Sequence, residues 1–165
     1  MKTYRIIIPV LLLIIFISCE KGEDIDTEKP VIDLSIQDAF PLNCDTIYFG
    51  ESFEFKVLFS DNAELGSTSA FSIDIHNNFD HHSHSTEVTE CTLDPIREPV
   101  NPYLFIESFD IPSGLSEYET NLSVSIPSGD ENGDYDEGDY HFFISLTDKE
   151  GWSTQKGLSI KMVFR

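Results

Sequence analysis

Alternation of apolar and polar residues is the feature that most constrains the fold of this chain. It runs through short segments, each ending at residues that favour turns, and no window has a helical period. The segments are 31–36, 53–59, 71–76, 104–111, 122–126, 140–147 and 158–164. A period of two is typical of a strand that buries one face. The sequence therefore predicts an all-β protein, a two-sheet β-sandwich of about seven strands.

The amino terminus has the pattern of a lipoprotein signal peptide. Lys2 and Arg5 precede an apolar run at 6–17, and a cysteine follows at position 19. This run is shorter than the ~20 residues that span a bilayer, as expected of a secretory signal. We predict a signal peptide at 1–18 and lipidation of Cys19. The alternatives are an uncleaved signal anchor and a soluble secreted chain.

The rest of the chain divides into a tether and one domain. Residues 19–29 are polar and charged and predict a flexible tether, and residues 30–165 predict the β-sandwich. The acidic residues close behind Cys19 are similar to the surface-export signal of Bacteroidetes lipoproteins. We therefore expect an outer-membrane lipoprotein, attached through its lipid, that faces either the cell surface or the periplasm.

The charge of the chain limits its partners. The formal charge is −20, and without the two basic residues of the signal peptide it is −22, from 8 basic and 30 acidic residues. A chain this acidic repels nucleic acid and anionic headgroups, and it attracts cations. Nucleic-acid binding is therefore not expected.

Several segments of the domain resemble those of a known group of proteins. Residues 137–152 resemble the penultimate strand of bacterial immunoglobulin-like modules and the turn that follows it. That strand starts with Gly-x-Tyr and leads to an Asp-x-x-Gly turn before the last strand. In this chain that turn is Asp148-Lys-Glu-Gly151. A second resemblance rests on Cys19, Lys29-Pro30, Phe59-Ser-Asp-Asn62, 74–84 and Gly138-Asp-Tyr-His141. Over 29–165 the chain is similar to an uncharacterised family of Bacteroidetes lipoproteins with an immunoglobulin-like domain and a histidine-rich loop. This resemblance implies a fold and a location but no activity.

Histidines are concentrated in one short stretch. The chain has five histidines, and four of them are His76, His81, His82 and His84. If the chain is extended there, His82 and His84 share one face and lie ~7 Å apart. This separation suits two ligands of one ion.

The remaining histidine, His141, is predicted to lie beside His76. In an immunoglobulin-like sandwich the third and sixth strands are antiparallel neighbours, so 71–76 would end where 140–147 begins. Strand parity directs Ile75 and Phe142 to the core and both histidines to the opposite face. All five histidines are therefore expected at one corner.

This convergence predicts a transition-metal site. Neutral imidazole is a good ligand of zinc and of copper(II), and we expect zinc first and copper second. The expected ligands are His76, His82, His84, His141 and His81. Asp80 or Glu87 is expected to complete the shell or to accept a hydrogen bond from an imidazole. The alternatives are a solvated, pH-sensitive patch of histidines, or histidines that pack and hydrogen-bond on a loop.

The acidic stretch 130–139 does not match a calcium loop. Acidic or amide residues stand at alternate positions from Asp130 to Asp136. However, a calcium hand needs glycine at its sixth position and glutamate at its twelfth, and Tyr135 and His141 stand there. A solvated insertion fits this stretch better than a weak calcium site.

Two cysteines remain after Cys19. An exported chain is in a compartment that permits disulfides, but the spacing of Cys44 and Cys91 leaves open whether they pair or are buried thiols.

No catalytic motif is present, so we do not expect an enzyme. Trp152 is expected to pack in the core rather than to stack on a carbohydrate. The sequence favours a lipid-anchored envelope protein that captures a metal or delivers it to an outer-membrane transporter. The alternative is a metal-independent adhesion or accessory module that binds a glycan or a partner protein.

Overall fold

The structure is a computed structural model that describes residues 26–84 and 91–165. The predicted signal peptide, Cys19 and the first part of the tether lie outside these residues. The described residues form strands and loops and contain no helix. The strands are β1 (Val31–Asp33), β2 (Thr46–Tyr48), β3 (Ser52–Phe55), β4 (Leu58–Ser60), β5 (Phe71–Asn77), β6 (Phe105–Phe109), β7 (Glu117–Glu119), β8 (Leu122–Ser125), β9 (Gly129–Asp130), β10 (Gly133–Asp134), β11 (Gly138–Thr147) and β12 (Ser153–Val163). In this part of the chain no helix could therefore span a membrane.

The strands form two layers, which confirms the predicted all-β sandwich. One layer is a five-stranded sheet in the order β2-β12-β11-β5-β6, in which β2 alone is parallel to its neighbour. The other layer contains the sheets β1-β4-β7 and β3-β8. β5 and β11 are the antiparallel neighbours expected of the third and sixth strands of an immunoglobulin-like sandwich.

In the second layer, the pairings β3-β8 and β4-β7 continue one ladder, which is interrupted at a threonine. Its two sheets share one register, since Ser52 pairs with Ser125 and Leu58 with Glu119. Between them the buried Thr120 accepts a hydrogen bond from Val57 N at 2.9 Å through Oγ1. The predicted strand 53–59 is therefore divided into β3 and β4, although its register continues.

Alternating residues of the two layers fill the core. The aromatic rings of Phe55 and Phe142 stack across the layers with their centroids 6.0 Å apart, and both side chains are fully buried. Burying a side chain of this size stabilises a fold by ~1.5–3 kcal/mol. Inward-facing Ile73, Ile75 and Ile144 fix which faces of β5 and β11 point outward.

A buried tyrosine fixes the start of β11. Tyr140 Oη donates to the Asp136 carbonyl at 2.7 Å and accepts from Tyr103 N at 3.1 Å. Burial raises the pKa of Tyr140 to about 12, because phenolate is poorly solvated there. The contact resembles the tyrosine corner of immunoglobulin-like domains.

The predicted hairpin between the last two strands is confirmed. Asp148 N donates to the Trp152 carbonyl at 2.9 Å, and Gly151 closes the turn with φ at +94°. A left-handed φ is readily adopted by glycine. Trp152 remains 41% exposed, so the expectation that it packs in the core was wrong.

Candidate metal centre

Strand pairing places two histidines side by side. His76 at the end of β5 and His141 near the start of β11 are direct cross-strand partners. Their neighbours Ile75 and Phe142 are fully buried in the core, so both imidazoles lie on the outer face of the sheet. The parity argument is confirmed at this pair, and the ring centroids are 5.1 Å apart.

The loop after β5 brings two more histidines over this pair. Asn78 N donates to the Asp139 carbonyl at 2.8 Å, and the buried Phe79 packs edge-on against Tyr140. His81 then adopts a left-handed φ of +58°, which turns the chain. As a result, the rings of His82 and His84 lie 4.6 and 4.8 Å from that of His141.

The four imidazoles are spaced like the ligands of one ion. Each of His76, His82, His84 and His141 offers a ring nitrogen, and these nitrogens all lie within 4.8 Å of one another. His76 Nε2 and His84 Nε2 are 3.4 Å apart. Two nitrogens bound tetrahedrally to zinc, each at a Zn–N distance of about 2.05 Å, are separated by about 3.3 Å.

The ring centroids have the same tetrahedral spacing. The six distances among the four rings range from 4.6 to 5.7 Å. A tetrahedral tetra-imidazole zinc site has centroids about 5 Å apart. A square-planar arrangement would separate opposite rings by about 6.4 Å, and no pair here is that far apart.

Two aspartates hold the imidazoles in position. His76 Nδ1 contacts Asp74 Oδ1 at 2.8 Å, and His82 Nδ1 contacts Asp80 Oδ1 at 2.5 Å. A carboxylate at Nδ1 favours the tautomer in which Nε2 carries the lone pair that binds metal. The hydrogen bond from His82 also holds the pKa of Asp80 below its usual range.

An aromatic side chain forms one wall of the cluster. Phe143 stacks on His76 with centroids 5.6 Å apart and meets His84 edge-on at 4.7 Å. Its cross-strand partner is Gly157, where an added Cβ would lie 2.5 Å from the Phe143 ring. Because residue 157 has no side chain, the Phe143 ring can lie flat against it. His141, on the same strand as Phe143, is fully shielded from water.

One side of the cluster opens to solvent. A cleft of about 450 Å³ borders it, lined by residues that include His76, Asp80, His82 and 96–99. His84 is exposed and His82 is partly exposed. The imidazoles on the loop are therefore accessible to an ion from solvent.

The predicted site residues separate into three groups. His76, His82, His84 and His141 converge as expected. His81 does not join them, because its Nε2 donates to the Asp94 carbonyl at 2.7 Å. Glu87 lies outside the described residues.

Sequence reasoning missed two residues of the cluster. Asp74 stands two positions from His76 on β5, and Phe143 stands two positions from His141 on β11. Strand parity places each of them on the same face as its histidine, so the sequence could have predicted both. Asp80, by contrast, was expected either as a ligand or as a hydrogen-bond acceptor, and its carboxylate contacts His82 as an acceptor.

The cysteines and the acidic stretch contribute no side chain to the four-histidine cluster. Cys44 and Cys91 form a disulfide, which resolves the open question of their pairing. Stretch 130–139 begins with the β9–β10 hairpin, and its Asp130 carboxylate accepts from Asn132 N at 2.7 Å. Residues 130–134 are exposed, as expected of a solvated insertion, whereas Tyr135 packs against Tyr103 with ring centroids 5.0 Å apart.

Comparison with known proteins identifies a family but no activity. A family model described as a domain of unknown function (DUF4625) matches residues 17–163. No curated protein matches the chain. The family match confirms the resemblance to an uncharacterised family.

Proposed function

The chain belongs to the DUF4625 family, and we propose that it is a cell-envelope lipoprotein that binds one transition-metal ion through four histidines. The observation that carries this proposal is the convergence of four ring nitrogens within 4.8 Å of one another. Two of the rings already have carboxylates at Nδ1, the arrangement that zinc proteins use to orient their ligands.

Zinc fits this cluster better than copper does. The centroid spacing suits a tetrahedron, which zinc adopts, whereas copper(II) prefers a tetragonal arrangement. All four ligands are imidazoles, and none is the thiolate or thioether that copper(I) prefers. Copper remains the second candidate.

A closed set of four ligands favours binding over catalysis. Catalytic zinc keeps one position for water, whereas four histidines complete the tetrahedron. We therefore propose capture of zinc, or its delivery to an outer-membrane transporter, rather than an enzyme. His76 and His141 belong to paired strands, while His82 and His84 lie on a loop and provide a route for exchange.

Metal analysis of the full-length chain tests this proposal. We expect about one zinc per chain, and its loss when His82→Ala and His84→Ala are combined. His81→Ala is the matched control, because His81 lies in the same loop but bonds Asp94 instead of joining the cluster. A metal-free protein whose Tm ignores added zinc and copper would refute metal binding.

A second candidate function rests on an exposed sheet edge. β6 is an edge strand, in which Ile106 exposes 67% of its surface, and Leu104, just before the strand, exposes 65%. Such an edge is a surface to which another strand can add. A metal-independent adhesion or accessory module would use it, and Ile106→Lys would then abolish partner binding while zinc content stays unchanged.

The lipid anchor is tested separately. Metabolic labelling with a fatty acid should label the chain, and Cys19→Ser should remove the label. Protease treatment of intact cells then distinguishes a surface-exposed domain from one that faces the periplasm.

A further inference from the structure

Three aspartates from distant parts of the sequence meet at one end of the sandwich. Asp26 precedes β1, Asp61 follows β4, and Asp148 lies in the turn between β11 and β12. One carboxylate oxygen of each lies within 4.8 Å of the others. The two strand ends and the segment before β1 therefore present three negative charges to one point.

Each carboxylate is held by one oxygen and presents the other. Asp26 Oδ1 accepts from Glu28 N and Asn62 Nδ2, Asp61 Oδ2 accepts from Ala63 N, and Asp148 Oδ1 accepts from Trp152 N, at 2.7–3.0 Å. The second oxygens, Asp26 Oδ2, Asp61 Oδ1 and Asp148 Oδ2, are shielded from solvent and have no hydrogen-bond partner. Each carboxylate thus uses one oxygen to hold local structure and keeps a second, buried oxygen that has no hydrogen bond.

Burial makes this arrangement unfavourable without a cation. Asp148 is only 4% exposed, and a buried carboxylate oxygen without a partner is costly. The adjacent Lys149 does not neutralise the group, because its Nζ pairs with Glu64 Oε2 at 2.5 Å. Among the described residues, no lysine or arginine forms an ion pair with any of the three aspartates.

We propose that Asp26, Asp61 and Asp148 bind a calcium ion. All the donors are carboxylate oxygens, the ligands that hard cations prefer and that zinc and copper sites use less. Calcium binds oxygen at about 2.4 Å, so oxygens on opposite sides of the ion lie about 4.8 Å apart. The observed separations fall within that limit, and water would supply the rest of the six to eight ligands.

This calcium site is separate from the histidine cluster. His141 lies in β11 and Asp148 follows directly after its end. The seven positions from one to the other correspond to about 24 Å of extended chain. One end of β11 therefore carries nitrogen ligands and the other carries oxygen ligands, so the two sites select different ions.

Calcium would fasten the segment before β1 to the sandwich. Besides its carboxylate, Asp26 is held through its carbonyl, which accepts from Trp152 Nε1 at 3.0 Å. The ion would fix the direction in which the chain enters the domain. If Cys19 carries the proposed lipid, this junction lies at the membrane end and the histidines lie at the far end.

Calcium titration of the full-length chain, after chelation with EGTA and with zinc held constant, tests the site. We expect calcium to raise the Tm of the wild-type chain, and Asp148→Asn to weaken calcium binding at least tenfold. Glu150→Gln is the matched control, because it removes one charge from the same turn without touching the three aspartates. Unchanged calcium affinity in Asp148→Asn would overturn the proposal.

A second variant covers the case in which Asp148→Asn does not fold. Asp26→Asn changes a residue outside the strands, and we expect the same tenfold loss while the zinc content is retained. Endoproteinase Glu-C provides an independent readout: calcium should slow cleavage after the exposed Glu28 in the wild-type chain but not in Asp26→Asn. Equal cleavage with and without calcium in the wild-type chain would contradict the proposed fastening. If the wild-type chain binds calcium but not zinc, that result would instead count against the proposed histidine function.

Discussion

The hydrogen bond between Asp74 and His76 leads to a quantitative prediction about zinc affinity. Asp74→Ala removes the carboxylate 2.8 Å from His76 Nδ1 and leaves all four histidines in place. Loss of such a partner typically weakens metal binding 10- to 100-fold, or about 1.4–2.7 kcal/mol. The imidazole then rotates more freely and loses the tautomer that presents Nε2.

Exposure ranks the two carboxylates of the cluster. The Asp74 side chain is 37% exposed, whereas that of Asp80 is 71% exposed. Water screens the more exposed pair and replaces its hydrogen bond more easily. We therefore expect Asp74→Ala to cost at least tenfold in zinc affinity, and Asp80→Ala to cost only a few-fold.

Competition against a chromophoric zinc chelator measures these affinities. Glu54→Ala is the control, because Glu54 is an exposed residue of the other layer and its loss changes the net charge equally. If Asp74→Ala binds zinc as tightly as Glu54→Ala while His76→Ala does not bind, the carboxylate does not orient the ring and the reasoning fails.

Two further predictions concern the fold. Thr120→Val leaves the buried Val57 N–H without its acceptor and should lower the free energy of unfolding by about 1–3 kcal/mol in denaturant titrations; Thr120→Ser keeps the hydroxyl, and equal losses in both variants would contradict this role. Burial raises the pKa of Tyr140 from 10.0 to about 12, so the folded state holds this proton more tightly than the unfolded state. Its contribution to stability is complete below pH 10 and is lost as the pH rises towards 12; the free energy of unfolding should fall less steeply over that range in Tyr140→Phe, and parallel curves would refute the assignment.

Local patterns predicted the strands because burial on one face imposes a period of two wherever a strand lies. The same reasoning placed His76 beside His141, since parity and strand pairing together determine which face a side chain occupies. It could not foresee the division of 53–59, because that division depends on Thr120, a residue more than 60 positions away. It also placed His81 among the ligands, because a left-handed φ in a loop does not follow strand parity.

The aspartate site shows a different limit of local reading. Asp61 and Asp148 stand where turns need them, and Asp26 lies in a polar segment, so each has a sufficient local explanation as a turn or tether residue. Their spacing along the chain matches no calcium motif. Their common property is visible only in three dimensions, where the three carboxylates meet within 4.8 Å and each keeps one buried oxygen without a hydrogen bond.

The chemistry of the two clusters argues that they act independently. The strongly acidic surface attracts every cation, so net charge alone does not select one metal over another. Selection must come from the donors, which are four nitrogens at one end of β11 and three carboxylates at the other. Zinc prefers the first set and calcium the second, so an excess of calcium should leave the histidines free for a scarcer ion. A domain held by calcium at the end nearest its tether would then present its zinc ligands at the opposite end, where a partner protein can reach the exposed His84.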